Sequence, residues 1–279
     1  MQTLEFLKKQ ISAVSELEGI SGALEQVAAK EILEVRKNIL ANREFFEETW
    51  RIYGLLRGLV QLPPEVKNKD LVFIITLNKG MCGNLMNRVI RAGEKAADKY
   101  KADILITGKK GQSVFANRDD KTVHFFNIPN EISYEQAEPL KEIASQYARV
   151  HVVFPRYLST MKQEVQVISL VAKPEEENQP NLEKFILPKR YRIEPSLAEV
   201  VNYFNKAIVG MMIYSFFTES LLAYSAAQMV AMRSAHDNAE DMKKTAVSKY
   251  HKQRREIIDV KLRELYKFRF MVHGAGGGS

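Results

Sequence analysis

All nine prolines of this 279-residue chain lie between Pro63 and Pro195. The 62 residues before them and the 84 after them contain none. Proline inside a helix removes an N–H and clashes with the preceding turn. The chain therefore has two long ends that permit helix, around a middle that turns often. Near the N-terminus Leu4, Leu7, Ile11 and Val14 are spaced 3, 4 and 3. Ile20, Leu24 and Val27 follow at 4 and 3, then Ile32, Val35 and Ile39 at 3 and 4. This period is close to the coiled-coil repeat of 3.5. Gly19 and Gly22 weaken it locally, by about 1 kcal/mol each relative to Ala. The pattern continues through Phe46, Trp50 and Tyr53 towards Pro63-Pro64.

Helical spacing returns after Pro195. Leu197, Val201, Phe204, Ile208 and Met211 are spaced 4, 3, 4 and 3, and Ile258, Leu262 and Leu265 repeat the 4 and 3. Ser196 is placed to cap this helix, with Glu199 three residues on as the capping-box partner. The one glycine between Pro195 and His273 is Gly210. A helix of ~75 residues is roughly 110 Å long, longer than a globular core needs. It must pack on the N-terminal helix and then on another molecule.

The middle alternates. Residues 71–75 form a short apolar run that predicts a buried parallel strand. Residues 84–100 read as a helix, and Asp103 to Thr107 as a second strand closed by Gly108. Residues 133–147 read as a helix, 149–154 as a strand and 165–171 as a further apolar run. Such alternation predicts an α/β layer with right-handed crossovers. Residues 173–179 (KPEEENQ) form a polar, acidic loop. The GAGGGS ending reads as a flexible tail or an artificial appendage.

Composition excludes several classes. With 46% hydrophobic and 27% charged residues, the chain supports a packed core rather than wholesale disorder. One cysteine makes no internal disulfide, and one Cys with five scattered His does not read as a structural zinc site. No run of 18 apolar residues is present to span a membrane, and the charged start lacks a signal-peptide core. The net charge of +7 suits an acidic protein surface, a nucleic acid or an anionic membrane equally well.

The motifs point away from catalysis. Residues 108–113 (GKKGQS) resemble a phosphate loop but lack the G-x-x-x-x-G-K-[ST] spacing, so a turn and a short helix are predicted. No G-x-G-x-x-G opens a helix after a strand. The turn Lys79-Gly80-Met81-Cys82-Gly83-Asn84 precedes a helix, where an anion or a reactive thiol would be favoured. The plainer reading is a tight turn with Cys82 as a small packed hydrophobe. His236 and Asp237 are adjacent and point apart on a helix, so an exposed polar face is expected.

Charge placement is the stronger signal. Residues 233–269 hold 11 Lys or Arg and 6 Asp or Glu, a local +5. Lys249, Lys252, Arg254 and Arg255 are the densest part. Ala226, Ala227, Met229, Ala231, Met232 and Ala235 form a smooth stripe suited to close packing on Ala23, Ala28 and Ala29.

Three segments resemble the gamma subunit of F-type ATP synthases. Residues 11–30 (ISAVSELEGISGALEQVAAK) are similar to that family's N-terminal helix signature. Residues 78–87 (NKGMCGNLMN) resemble its D-R-G-L-C-G-x-x-N turn. Residues 226–235 (AAQMVAMRSA), with Asn238-Ala239, resemble its A-A-R-M-x-A-M-x-x-A…N-A block. Lys252-Gln253-Arg254-Arg255 sits where the family has R-x-R-Q. Gln228 replaces the family's Arg, and Lys267-Phe268-Arg269-Phe270 replaces its G-G-A ending, which marks a divergent, bacterial-type member.

The resemblance implies a fold and a role. An α/β, Rossmann-like middle domain (63–195) is inserted between two long terminal helices (1–62 and 196–273) that form an antiparallel coiled coil, followed by a tail (274–279). Ile11, Val14, Leu24, Val27, Met229, Met232, Ile258 and Leu262 are expected to pack in that coiled coil. The chain would be a non-catalytic rotor in the central stalk of a proton- or sodium-translocating synthase, without a cofactor. Its expected partners are three alpha and three beta subunits, an epsilon subunit and the membrane c-ring. Lys252, Arg254 and Arg255 are expected to meet carboxylates of the beta subunit, and the 79–84 turn to face the membrane rotor. The implied location is the cytoplasmic face of a bacterial cell membrane, as a peripheral protein. The rival reading is a basic coiled-coil protein that binds nucleic acid with steep salt dependence.

Overall fold

A computed structural model of the chain describes residues 3–57, 67–116, 122–127, 138–171, 194 and 196–274. The polar 173–179 loop, the Pro63-Pro64 break and residues 275–279 of the tail lie outside the described residues. So do the side chains of Phe46, Trp50, Tyr53, Val201, Phe204 and Ile208. The element order is α1 (Leu4–Arg57), β1 (Lys67–Ile74), α2 (Leu85–Tyr100), β2 (Asp103–Thr107), α3 (Lys109–Phe115), β3 (Val123–Phe126), α4 (Glu138–Ser145), β4 (Tyr147–Ser159), β5 (Lys162–Val171) and α5 (Leu197–Gly274). The two proline-free ends are thus single helices of 54 and 78 residues. The Ser196 hydroxyl caps α5 by accepting the Glu199 N–H at 3.2 Å.

The chain divides into two compact units, residues 27–230 and residues 1–26 with 231–279. The larger holds a five-stranded sheet in the order β3-β2-β1-β4-β5. β1 pairs in parallel with β2 and β4, and β2 in parallel with β3. β5 returns antiparallel to β4, with His151 opposite Ser169, so the sheet is mixed. The central strands are buried on both faces, as parallel strands are. Leu71, Phe73, Ile74, Ile104, Leu105, Ile106, Val152 and Val153 form the centre of the core. α2 covers it with Leu85, Met86, Val89, Ile90, Ala96 and Ala97, and α5 adds Ile213, Phe217, Ala223 and Tyr224. Phe73 and Phe217 meet edge to face, with ring centroids 5.8 Å apart. A second cluster joins Ile32 and Val35 of α1 to Leu222 and Ala226 of α5.

In the smaller unit the two helices touch through polar groups. Arg233 lies 3.9 Å from Glu25, and Lys243 lies 2.7 Å from Glu18. The ring Nδ1 of His236 is 3.0 Å from the main-chain carbonyl of Glu18. Across both units, the residues of α1 buried along one stripe are Leu7, Val14, Ser21, Ala28 and Val35, at intervals of seven. In α5 they are Ser225, Met232, Ala239 and Ala246, again at intervals of seven. A sustained seven-residue repeat is the signature of supercoiled helix pairs.

Two expectations for single elements change. The helix expected over 133–147 is described as α4 from Glu138, and Tyr147 already begins β4. β3 was not expected: it is four residues long, contains His124, and buries none of its residues fully.

Candidate functional site

Ligands of open α/β sheets bind beyond the carboxyl ends of the strands, where strand order reverses. In this sheet that place lies beyond β1, between its neighbours β2 and β4. At the ends of β1 and β2, Thr76 and Thr107 bond to each other. The Thr107 hydroxyl donates to the Thr76 carbonyl at 3.0 Å and accepts the Thr76 N–H at 3.2 Å. The Thr76 hydroxyl donates in turn to the Thr107 carbonyl. Gly108, with φ of +82°, closes this turn, and a Cβ there would stand 2.6 Å from the Thr76 carbonyl oxygen. The residues 108–113 are therefore a turn leading into the short helix α3, as their spacing predicts. Tyr224 of α5 is fully buried beside this end of the sheet, and its hydroxyl is 3.4 Å from the Ile75 carbonyl. Burial pushes that phenol well above its ordinary range.

The turn after β1 faces the long helices. Lys79 pairs with the carboxylate of Glu31 on α1. The Ser225 hydroxyl of α5 lies 3.1 Å from the same carboxylate oxygen and 2.8 Å from the Leu221 carbonyl. Lys79 is thus engaged by α1, while Gly80, Met81, Gly83 and Asn84 of the turn are exposed. Cys82 is buried, and desolvation raises its thiol pKa above the ordinary value. That is a packed hydrophobe rather than an activated thiol.

A polar network closes the amino ends of β1 and β4. The Asp70 carboxylate accepts from Arg149 Nε at 2.9 Å and lies 3.5 Å from His151 Nε2. The other ring nitrogen of His151 is 2.7 Å from the Ser169 hydroxyl. Tyr100 stacks on the imidazole at 3.7 Å. Burial lowers the His151 pKa more than Asp70 raises it. Beside this network the Tyr147 hydroxyl donates to Asp103 at 3.1 Å, and burial with that carboxylate pushes the phenol up to about 12. Each group is engaged by protein, and the network reads as a satisfied support for the sheet.

The residues singled out for helix packing divide into three sets. Val14 and Met232 are buried, and Ile11, Leu24 and Met229 are half-buried. Val27 is 56% exposed, whereas Ala28 beside it is 0% exposed. The seven-residue stripe passes through Ala28, where a methyl lets the helices come close; the larger Val27 stands one position away from it. Ile258 and Leu262 are also exposed, at 45% and 46%. Glu25 meets Arg233 and Glu18 meets Lys243, so earlier residues of α1 meet later residues of α5. Counted on from those contacts, α1 reaches its first residues before α5 reaches Ile258. His236, expected on an exposed face, is half-buried against α1, with Gly22 leaving room for its ring. Asp237 is exposed.

Lys252, Arg254 and Arg255 are all exposed. Around them Ile257, Val260, Leu265, Tyr266 and Phe268 also stand exposed. A long helix end that is both basic and apolar on its surface is a contact surface by its chemistry. Among the described residues, no group of three or more His, Cys, Asp or Glu could hold a metal ion. No described helix is long and apolar enough to cross a membrane.

Comparison with known proteins agrees with this architecture. Residues 3–266 match the model of a family described as ATP synthase. The gamma chain of the ATP synthase of Geobacter metallireducens is 24% identical, over 95% of this chain and 97% of its own length. That of Halothermothrix orenii is 27% identical over the same shares. In structure, the chain is similar to one in the Euglena gracilis mitochondrial ATP synthase, solved as the OSCP/F1/c-ring assembly. The TM-score is 0.74 at 17% identity, covering 99% of this chain and 96% of that one. A central-stalk chain of the Tetrahymena thermophila enzyme gives a TM-score of 0.59 at 19% identity, covering 77% of this chain and 99% of that one. With both long helices and the sheet inside one family match, the chain belongs to the ATP synthase gamma-chain family.

Proposed function

We propose that this chain is the rotating central shaft of an ion-translocating ATP synthase and performs no chemistry itself. The observation that carries this reading is the family match over residues 3–266, which takes in the sheet and both long helices. In this reading the helices are an antiparallel coiled coil over 1–62 and 196–273, and the α/β domain is 63–195. The pairing of Glu25 with Arg233 and of Glu18 with Lys243, and burial at seven-residue intervals, support the antiparallel coiled coil.

The partners follow from the relatives. The chain would join alpha and beta subunits, an epsilon-type subunit and a membrane c-ring, as a peripheral protein on the cytoplasmic side. Rotation would press the shaft's uneven surface differently on each beta subunit and hold each catalytic site in a different state. The exposed basic and apolar end of α5 supplies such a surface. Lys252, Arg254 and Arg255 would meet beta-subunit carboxylates there, with each exposed pair contributing about 0.2–1 kcal/mol.

The test is the double substitution Arg254→Ala with Arg255→Ala. The melting temperature of the isolated chain should stay nearly unchanged, because both side chains are exposed. ATP synthesis by the assembled complex should fall. Unfolding of the isolated chain, or normal synthesis, would contradict the assignment.

A further inference from the structure

We infer that Lys79, Glu31 and Ser225 form the joint through which the sheet and the two long helices turn together. This rests on the rotor reading above. Lys79 follows β1, the central strand, which pairs on both sides with β2 and β4. A twisting load on the sheet therefore reaches Lys79 through its most supported strand. Glu31 belongs to α1 and Ser225 to α5. One carboxylate oxygen takes the Lys79 ammonium and lies 3.1 Å from the Ser225 hydroxyl. Three separate elements thus meet at one atom.

The surroundings make that meeting strong. The Lys79 side chain is only 14% exposed, and Ser225 is fully buried. The Glu31 side chain is 36% exposed, so the shielded charge is that of Lys79, and removing Glu31 strands it. The neighbouring apolar cluster of Ile32, Val35, Leu222 and Ala226 resists separation of the helices. Apolar attraction is non-directional and opposes sliding or twisting poorly. Hydrogen bonds to a charge are directional. Two further directional contacts reinforce α5 nearby. The Glu219 carboxylate accepts the Tyr157 N–H of β4 at 3.1 Å, and the Tyr224 hydroxyl reaches the Ile75 carbonyl. Lys79 and Glu31 bring α1 into this set. Lys79, Glu31 and Ser225 are positioning residues: they hold the shaft to its foot and touch no nucleotide.

The experiment uses the complete complex in membrane vesicles, reading ATP hydrolysis and ATP-driven ion pumping together. With Lys79→Met or Glu31→Gln, hydrolysis should stay near normal while ions pumped per ATP fall to about half or less. Lys79→Arg should keep the normal ratio, because the charge remains. The exchange of Glu31→Lys with Lys79→Glu should recover most of the lost ratio, since the Ser225 hydroxyl can also accept from an ammonium at position 31. Normal pumping per ATP in both single variants would overturn the proposal. If a single variant fails to assemble, the exchange pair decides: assembled and coupled upholds the joint, assembled and uncoupled overturns it. An unmodified chain that assembles without any pumping would instead overturn the rotor reading.

Discussion

His151 carries a pH dependence that its surroundings make readable. It is buried against Asp70 of β1, Ser169 of β5 and Arg149 of its own strand, and under Tyr100 with Lys99 from α2. Desolvation and the two cations disfavour the imidazolium, and Asp70 favours it; the balance lowers the pKa in the fold. The unfolded chain therefore binds a proton there more readily than the folded one. Its contribution to stability is fully present above the unfolded value of about 6.5 and is lost as pH falls through the lower folded value. Denaturant titrations at about pH 7.5 and pH 5 should show a drop that His151→Gln reduces. An equal drop in both proteins would show that other groups carry it. Nothing in the spacing of the five histidines marked this one, because its partners lie 18 and 81 residues away.

At the scale of the element, helix type was legible and helix face less so. The missing prolines and the 3-and-4 spacing were enough to place α1 and α5. They were not enough to fix the buried stripe around Gly19 and Gly22. There the apolar residues Ile20 and Val27 are exposed, and Ser21 and Ala28 are buried. Ser21 can be buried because its hydroxyl donates to the Leu17 carbonyl at 2.7 Å. Small side chains at a close crossing look polar or neutral in a hydrophobic pattern, so periodicity alone passes over them. β3 was missed for a related reason: four half-exposed residues give no clear alternation. The stripe makes a paired prediction. Ala28→Leu should overpack the crossing and cost about 1–3 kcal/mol. Val27→Ser should change stability by no more than about 0.5 kcal/mol. Thermal or denaturant unfolding of the two variants checks it, and the reverse order of effects would return the stripe to Val27.

For the whole molecule, the relation of the chain to its family was legible where residue-level roles were not. The 226–235 block and the 78–87 turn resemble the family, and residues 3–266 match it. The joint at Glu31 was hidden, since Lys79 and Ser225 stand 48 and 194 residues from it. The central claim is rotation, and it can be watched directly. Met161 is 78% exposed at the turn between β4 and β5, whereas Cys82 is buried. In Met161→Cys, a probe should attach at that turn and spare Cys82. With the alpha and beta subunits fixed to a surface and ATP added, the probe should turn steadily in one direction, pausing at three evenly spaced angles, one for each catalytic subunit. A probe that stays still while the same complexes hydrolyse ATP would contradict the account.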